Sequence, residues 1–367
     1  MLIRLPLYQV QETALGVVAS SPDTDMILPP PDAEGVEGAL SGLIALVQDD
    51  LTLCNQAIID RMDSQVPLIP QLAAHIVAAG GKRLRPLLTL ASARLCGFDT
   101  ALAGGVPRHV HLAACVEFIH TATLLHDDVV DESRMRRGMA SANAVFGNNA
   151  SVLVGDFLFA RAFQLMVEDG SLQVLAILSK AAATIAEGEV LQLATQNDLE
   201  TPESRYLEVI EGKTASLFAA ACQVGAVVAG RPTEEEHALY DYGMSLGIAF
   251  QLTDDALDYA ADQRKLGKTV GDDFREGKIT LPVLAAFHAG DAEEKRFWQR
   301  TIGESDQTED DLEEALRLIA RHDTIGLTLE RARIMAEKAK RALDIFPDTP
   351  LRRSLCAVAD YTVWRAR

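Results

Sequence analysis

Aromatic side chains, paired cysteines and long apolar runs are all scarce in this chain of 367 residues. Phe, Trp and Tyr make up only 5% of it, and because sheets draw on aromatic and β-branched residues, this scarcity favours packed helices. No run of 18 or more purely apolar residues occurs, so we expect no membrane span. The five cysteines form no CxxC pair, which predicts the buried, reduced thiols of a cytosolic protein.

Positive charge is also in short supply. The chain has 34 Lys and Arg against 53 Asp and Glu, a formal net charge of −19. Such a balance argues against nucleic acid as a partner, because a polyphosphate backbone needs a basic surface. The first residues contain one early arginine followed by acidic residues and resemble neither a signal peptide nor an Arg-rich transit peptide, so we expect a cytoplasmic protein.

The chain divides into a short extension and a long helical region. Residues 1–36 are predicted to be a partly irregular N-terminal extension, because Pro29-Pro30-Pro31 blocks helix formation there. Over residues 37–367 helical periodicity dominates, and alternating patterns never exceed a few residues. We therefore predict an all-α domain of roughly a dozen helices in a single bundle.

Capping and breaker residues place several helix ends. Gly80-Gly81 predicts the end of one helix, and Pro86 suits the start of the next. Thr233 with Glu236 has the spacing of a capping box, which predicts a helix that begins at this point.

Two copies of one acidic pattern stand in runs that are otherwise typical of apolar helix. They are Asp127-Asp128-Val129-Val130-Asp131 and Asp254-Asp255-Ala256-Leu257-Asp258. Residues i and i+4 share a helix face, where like charges repel and clustered carboxylates on an apolar surface cost free energy. Bound cations explain the arrangement, since Mg²⁺ takes carboxylate oxygens and completes its octahedron with waters and substrate phosphates. Two such patches that face each other would hold a metal–diphosphate cluster between two helices.

The first acidic pattern is followed closely by Arg136-Arg137-Gly138. Guanidinium groups beside metal-binding carboxylates can clamp phosphate oxygens bidentately. The simpler alternative is a salt-bridge network along one helix between Asp131 or Glu132 and the two arginines. The second acidic pattern elsewhere in the chain favours the functional interpretation.

A basic cluster surrounds a predicted helix start at Gly80-Gly81-Lys82-Arg83-Leu84-Arg85-Pro86. Three cations and free backbone N–H groups after a flexible glycine pair make an anion site. It is not a Walker loop, because the GxxxxGK spacing and a following Ser or Thr are absent. Taken alone, a basic helix end is often only solvated.

Three weaker signals accompany these patterns. Lys268 and Lys278 follow the second acidic pattern in a Gly-rich loop that can close over phosphate, although such loops are more often simply exposed. Lys213 beside Thr214 within an apolar helix needs a polar partner, unless the lysine snorkels to solvent. His120 lies two helical turns before the first acidic pattern and shares its face.

The chain resembles the trans-isoprenyl diphosphate synthases in seven segments that occur in order: GGKRLRP, LLHDDVVDESRMRRG, GDFLFARAF, EGEVLQL, KTASLF, FQLTDDALDY and GKTVGDDFREGKITLP. The resemblance covers about residues 40–365 and leaves out residues 1–36. It is nearest to the long-chain bacterial octaprenyl and decaprenyl diphosphate synthases, which make quinone side chains. It implies an all-α bundle of the isoprenoid synthase type with a central substrate cavity.

The resemblance also implies site residues and a cofactor. The two metal-binding motifs match Asp127, Asp128, Asp131, Asp254, Asp255 and Asp258, which with Lys213 and Lys268 form the catalytic set. The residues that match the allylic diphosphate site are Arg136, Lys213, Thr214, Gln251, Lys268 and Lys278. Those that match the isopentenyl diphosphate site are Gly81, Lys82, Arg85, His120 and Arg137. The implied cofactor is Mg²⁺, three ions per active site, with Mn²⁺ as a substitute.

Product length should depend on the cavity beneath the first acidic pattern. Short-chain relatives place a bulky aromatic residue four or five positions before the first aspartate, where this chain has Thr123 and Ala122. We therefore expect a long product, of about eight to ten isoprene units by the resemblance. Phe159, Phe163 and Met166 follow one helix and are candidates for the channel floor, with plain core packing as an equal alternative.

Two other functions share much of this pattern. A class I terpene cyclase or a head-to-head condensing enzyme would use the same acidic patches, but Lys82, Arg85 and His120 point to a second diphosphate, which a cyclase does not bind. A non-catalytic subunit of a heteromeric synthase is the other alternative, although this chain keeps all six aspartates. We expect a homodimer, with peripheral membrane contact only for product release.

Overall fold

The computed structural model describes residues 33–78, 80–98, 106–260 and 270–365, and nearly all of this is helical. The helices of the first half are α1 (Ala33–Leu46), α2 (Gln48–Arg61), α3 (Leu68–Ala78), α4 (Leu84–Leu95), α5 (Arg108–Val130), α6 (Ala142–Phe146), α7 (Asn148–Asp169) and α8 (Leu172–Thr195). Those of the second half are α9 (Glu203–Ile210), α10 (Ser216–Val228), α11 (Thr233–Asp258), α12 (Asp272–Arg275), α13 (Leu281–Ala289), α14 (Ala292–Trp298), α15 (Asp311–Arg321), α16 (Thr324–Ala342) and α17 (Pro350–Trp364). The all-α prediction is confirmed.

Short irregular helices interrupt this pattern. A π-helix spans Glu211–Ala215 between α9 and α10, another spans Gln299–Gly303, and a 3₁₀-helix covers Leu343–Ile345. Because α1 begins at Ala33, helix starts slightly before the predicted domain boundary. The division of the chain into 1–36 and 37–367 stays a prediction, since residues 1–32 lie outside the described part.

One predicted helix end is confirmed, and one predicted helix cap is wrong. Between α3 and α4 the chain leaves the helical path around Gly80-Gly81, as predicted. At the start of α11 the capping box is wrong, because the N-cap position is Pro232 and no side chain caps the helix. The carboxylate of Glu236 instead accepts a hydrogen bond of 2.7 Å from Gln173 on α8. A tertiary partner therefore outcompetes the local cap.

Two long helices, α5 and α11, organise the main core. α5 packs against α7, α4 and α2, whereas α11 packs against α10, α16 and α17. Small side chains allow α11 to approach α10 and the end of the π-helix before it: a Cβ on Gly243 would lie 2.7 Å from the Cα of Ala219 on α10, and one on Gly247 would lie 2.5 Å from the Cα of Ala215 in the π-helix. The acidic patterns occupy the C-terminal ends of α5 and α11.

A two-stranded hairpin follows α5. Strand β1 (Met135–Arg136) pairs antiparallel with β2 (Met139–Ala140), and the turn between them is Arg137-Gly138. Both turn residues have positive φ, 52° and 78°, which is the requirement of a type I′ hairpin turn. The tight turn places the two adjacent arginines close to the end of α5.

One described helix, α7, is long and apolar enough to cross a membrane when judged by length and composition alone. However, 44% of the most apolar stretch of this helix is buried, and the helix packs along α5. A core helix of a bundle passes the same test, so α7 is weak evidence for a span.

Candidate active site

A cavity of about 650 Å³ lies where α5, α11, α17 and the first turn of α4 converge. Most of the predicted site residues line its wall: Gly81, Lys82, Arg85, His120, Thr123, Asp127, Asp131, Arg136, Arg137, Lys213, Thr214, Gln251 and Asp254. The fold therefore brings the basic cluster and both acidic patterns to one cavity. Lys268 lies outside the described residues.

The first acidic pattern divides into cavity residues and a buried anchor. Asp127 and Asp131 line the cavity, whereas Asp128 is only 2% exposed. Arg136 holds Asp128 in a salt bridge of 2.6 Å. Asp131 receives a hydrogen bond of 3.1 Å from Lys278, and these two residues also line a smaller neighbouring cavity. The structure therefore gives Arg136 a positioning contact in addition to its place in the cavity wall.

The second acidic pattern divides in the same way. Asp254 lines the cavity, and its Oδ1 lies 2.7 Å from Nη2 of Arg365. Asp255 is 4% exposed and accepts hydrogen bonds from the Tyr206 hydroxyl at 2.6 Å and from Gln251 at 2.7 Å. Asp258 accepts a backbone N–H bond of 3.0 Å from Asp273 instead of facing the cavity.

The π-helix supplies the next side chains of the site. Thr214 donates a hydrogen bond of 2.8 Å to Gln251, which in turn donates to Asp255. Lys213 lies between Glu189 at 2.8 Å and Gln192 at 2.7 Å, both on α8. The predicted need of this half-buried lysine for a polar partner is thus met within the site.

The position of the carboxylates makes them difficult to ionise without cations. Both patterns lie at helix C-termini, where the helix dipole already disfavours negative charge. Burial raises the pKa of Asp127 to about 7, Lys213 opposes that rise, and Glu189 adds to it. Burial also raises the pKa of Asp255 and of Asp258 to about 6. Such a site binds added positive charge with a gain in free energy.

The basic cluster faces the acidic ends across the cavity. Lys82 donates to the Tyr361 hydroxyl at 2.8 Å, and Nη1 of Arg85 donates to Nε2 of His120 at 3.1 Å. Burial lowers the pKa of His120 well below its usual value, and Arg85 lowers it further. His120 is therefore a neutral acceptor that orients a guanidinium group.

Arg85 and Arg137 are held in place from two sides. The guanidinium carbon of Arg85 lies 4.4 Å from the ring centre of Phe218. Arg137 donates to the carbonyl of Gly80, and a Cβ on Gly81 would collide with the Arg137 guanidinium group. Glycine at position 81 is therefore needed for the close approach of the hairpin to this loop.

The predicted chain-length residues are not equally placed. Thr123 lines the cavity, whereas Ala122 is fully buried behind the wall. Met166 is 1% exposed in the core, and the Phe159 ring stacks on that of His126 with centres 6.1 Å apart. Phe163 was expected on a channel floor, but the helix turns it outward and leaves it 45% exposed. Among these residues, only Thr123 lines the cavity in the described part of the chain, and the chain-length role of the set stays a prediction.

Sequence reasoning missed several residues of the site. Glu117, Glu189, Tyr361 and Arg365 line the cavity, and Tyr206 holds Asp255 beside it. Glu117 could have been found, because it lies one helical turn before His120 on the same face. Glu189 lies in the segment EGEVLQL, which carried the family resemblance but gave this residue no role. Tyr206, Tyr361 and Arg365 lie far away along the chain and carry no local pattern.

The donor set suits a hard divalent cation, since the cavity carboxylates offer only oxygen ligands. Within the described ranges, no three His, Cys, Asp or Glu side chains stand close enough together to hold a metal ion unaided. Asp127 lies on α5, Asp131 is the C-cap residue of that helix, and Asp254 lies on α11. This arrangement fits Mg²⁺, which is held by one or two carboxylates together with substrate phosphates rather than by an all-protein cage.

An all-α bundle in which two acidic helix ends face a basic cluster defines the class of the isoprenoid synthases. The Polyprenyl synthetase family model matches residues 66–319. The chain belongs to this family, whose members are prenyl-transferring enzymes.

Three relatives give the comparison more detail. The octaprenyl diphosphate synthase of Escherichia coli (strain K12) is 50% identical over 88% of this chain and 98% of its own. The crystal structure of a decaprenyl diphosphate synthase from Rhodobacter capsulatus matches with a TM-score of 0.85 and 52% identity over 89% of this chain and 99% of that chain. A polyprenyl synthase from Caulobacter crescentus CB15, complexed with calcium and isoprenyl diphosphate, also has a TM-score of 0.85, with 52% identity over 89% and 98% of the two chains.

Proposed function

We propose that this chain is a cytoplasmic long-chain trans-polyprenyl diphosphate synthase. It adds isopentenyl diphosphate, head to tail, onto an allylic diphosphate such as farnesyl diphosphate. The product has about eight to ten isoprene units, the lengths that the names of the octaprenyl and decaprenyl synthases state for those relatives. A prenyl chain of this length suits the side chain of a quinone such as ubiquinone.

The observation that carries this proposal is a single cavity with two chemically different anion sites. The acidic side, with Asp127, Asp131 and Asp254, suits a diphosphate that arrives with metal ions. The basic side, with Lys82 and Arg85, suits a diphosphate that arrives without them. A cyclase needs only the first site, so the second favours condensation of two substrates.

The residues of the acidic side then bind and orient the allylic substrate. Mg²⁺, when bound, stabilises the leaving diphosphate, and we propose three ions per site with Mn²⁺ as a substitute. Lys213, Arg136 and Lys278 hold diphosphate oxygens. Burial alone would lower the pKa of Lys278, but Asp273 and Asp131 outweigh it, so the pKa is raised and the ammonium stays charged.

The basic side holds isopentenyl diphosphate with its alkene towards the allylic carbon. The allylic C–O bond breaks and its electron pair leaves with the diphosphate, and the alkene then forms the new C–C bond. The departed diphosphate takes the proton whose loss restores the double bond. Lys82, Arg85 and Arg137 fix the diphosphate, while neutral His120 orients Arg85. Holding two reactants in this orientation can lower the activation barrier by roughly 7–11 kcal/mol at most.

One incubation tests the proposed function. Purified chain, farnesyl diphosphate, labelled isopentenyl diphosphate and Mg²⁺ should give products of about eight to ten units on chromatography. A chelator should abolish turnover, and Mn²⁺ should restore it. Cyclic products would favour the cyclase alternative, and no turnover without an added partner would favour the non-catalytic subunit.

We also propose that the working protein is a homodimer. On α7, Leu153 and Val167 are both 67% exposed, and with Ala160 they follow the i, i+7, i+14 spacing of one helix face. Phe163 adds an exposed ring on this helix. A second copy is the natural occupant of so apolar a face, because most oligomers pair identical surfaces.

The double variant Leu153→Glu with Val167→Glu tests whether the protein is a dimer. Sedimentation should show a dimer for the natural sequence and a monomer for the double variant, at equal helix content by circular dichroism. Tyr240→Glu, at a 38% exposed position on α11, is the control and should leave the dimer intact. A monomeric natural sequence at micromolar concentration would contradict the proposal.

For product release we propose peripheral contact between α16 and an anionic lipid surface. Leu327, Arg331, Ile334, Lys338 and Arg341 follow one exposed helix face with alternating apolar and basic side chains. Such a face suits anionic headgroups in spite of the acidic balance of the whole chain.

Vesicle sedimentation tests this contact. Phosphatidylglycerol vesicles should bind the protein at low salt, and phosphatidylcholine vesicles should not. Lys338→Glu with Arg341→Glu should abolish the binding, while the control pair Arg317→Glu with Arg321→Glu, on α15, should keep it. Equal binding to both lipids, or by both variant pairs, would contradict the proposed surface.

A further inference from the structure

A buried carboxylate, Glu117, stands among the arginines of the basic cluster. It lies on α5 one turn before His120, is 7% exposed, and reaches the cavity wall. A free carboxylate beside a diphosphate would weaken binding by repulsion. Its presence therefore needs a reason that outweighs this cost.

The direct partner of Glu117 is Arg83, through an ion pair between Nη1 of the arginine and Oε1 of the glutamate. The side chains are only 18% and 9% exposed, so water screens the pair weakly. Arg83 is the N-cap residue of α4 and has φ 48°, a left-handed conformation that a non-glycine residue adopts at a cost. The ion pair thus holds a strained residue between Lys82 and the first turn of α4.

Two further guanidinium groups depend on the same carboxylate. Burial lowers the pKa of Arg85 to about 10, and Glu117 opposes that fall. Burial also lowers the pKa of Arg137, again against the charge of Glu117. Before a diphosphate binds, the charge of Glu117 therefore favours the charged forms of Arg85 and Arg137, and its ion pair holds Arg83 directly.

We propose that Glu117 is a positioning residue for the isopentenyl diphosphate site. Acting through Arg83, it fixes the segment Gly81–Arg85 against α5, so that Lys82 and Arg85 stand at a set distance from the acidic end of that helix. Arg83 contributes as the tether of this segment, and the diphosphate is held by the cations on either side of it. The inference rests on the proposed function, which assigns isopentenyl diphosphate to the basic cluster.

Steady-state kinetics of Glu117→Gln test the proposal, because the amide keeps the shape and removes the charge. One lost hydrogen bond between charged groups corresponds to a rise of about 10–100-fold in KM for isopentenyl diphosphate. KM for farnesyl diphosphate and kcat at saturation should change less than about threefold. Arg83→Gln should reproduce this split, and the double variant should be no worse than either single variant, because both remove the same pair.

Glu236→Gln is the matched control, since Glu236 is also buried, at 9% exposure, but lies away from the cavity and accepts from Gln173. It should leave both KM values unchanged. Equal rises in both KM values for Glu117→Gln, or additive effects in the double variant, would overturn the inference. Should Glu117→Gln fail to fold, the more exposed Arg83→Gln carries the same test.

Arg85→Ala, measured in parallel, distinguishes a failure of the positioning role of Glu117 from a failure of the proposed function. If Arg85→Ala raises KM for isopentenyl diphosphate selectively and Glu117→Gln does not, only the positioning role fails. If Arg85→Ala changes both substrates equally, the assignment of the basic cluster to isopentenyl diphosphate fails with it.

Discussion

At the scale of single residues, neighbouring aspartates of one motif have different surroundings. Asp127 and Asp254 face the cavity. By contrast, Asp128 forms a salt bridge with Arg136, and Asp255 accepts hydrogen bonds from Tyr206 and Gln251. We infer that the cavity pair carries the direct metal contacts and that the buried pair holds the helix ends in shape.

Asp127→Ala and Asp254→Ala should each cut turnover by orders of magnitude with the fold intact. The reason is the loss of metal-assisted stabilisation of the leaving diphosphate, worth several kcal/mol. Turnover at saturating Mg²⁺ checks the loss of activity, and circular dichroism checks that the fold is intact. The control is Asp49→Ala, a change at an exposed carboxylate of α2, which should have no effect. Near-normal turnover of either cavity variant would contradict the two-patch metal site.

Substitutions at Thr123 and Ala122 should have different effects. Thr123→Phe places a ring in the cavity wall and should stop the product near three or four units while the first condensation still runs. Ala122→Phe pushes a ring into a filled core and should cost roughly 1–3 kcal/mol of unfolding free energy. Chromatography of products and urea unfolding check both. Long products from Thr123→Phe would mean that the growing chain leaves by another route.

At the scale of elements, the π-helix Glu211–Ala215 is the part that no sequence pattern predicted. Periodicity suggests an ordinary α-helix through Lys213 and Thr214. The extra residue in the hydrogen-bonded turn of the π-helix instead directs these side chains towards α8 and α11. Gly188 on α8 makes this possible, because a Cβ there would lie 2.5 Å from the backbone nitrogen of Lys213. Helix existence could be predicted from the sequence, but this local geometry depends on the partner helix.

Gly188→Ala should therefore move the π-helix and impair catalysis. A misplacement of about 1 Å can cost on the order of 10²-fold in rate, and we expect a loss of that order in kcat. Gly42→Ala on α1 is the matched control, since nothing lies within 4 Å of its added Cβ. It should keep full activity and stabilise the fold by roughly 0.5–1 kcal/mol. Full activity of Gly188→Ala would show that the π-helix tolerates displacement.

At the scale of the whole molecule, one buried ionic cluster ties three helices together far from the cavity. Asp50 on α2 accepts two hydrogen bonds from Arg94 on α4, at 2.6 and 2.8 Å. His109 on α5 lies 3.1 Å from the same carboxylate. Burial alone would raise the pKa of Asp50, but these partners outweigh it and lower the pKa from 3.8 to about 2.

Asp50→Asn should destabilise the fold at pH 7, and the difference should shrink in acid. A folded pKa below the unfolded value gives stability that is present above about pH 4 and is lost as the pH falls towards 2. The expected difference in unfolding free energy at pH 7 is about 2 kcal/mol. Urea unfolding at pH 7 and pH 3 checks it, with exposed Asp60→Asn as control. A difference that is constant with pH would contradict the role of the charge.

The sequence revealed the all-α fold, both acidic patterns and the basic cluster because each is a local pattern with a physical meaning. It could not reveal contacts between residues far apart, such as Tyr206 with Asp255 or Arg365 with Asp254. It also could not place Phe163, because periodicity gives the faces of a helix but not which face meets a neighbour, and the chain-length role of this residue stays a prediction.

Helix α5 carries residues of both substrate sites on a single rigid rod. Glu117 and His120 belong to the basic side, and Asp127 lies seven residues beyond His120, about 10 Å along the axis at 1.5 Å per residue. Under the proposed function, we expect this helix to act as a ruler that sets the gap between the attacking alkene and the carbon it attacks. One residue inserted between His120 and Asp127 would rotate the acidic end by about 100° and break the alignment.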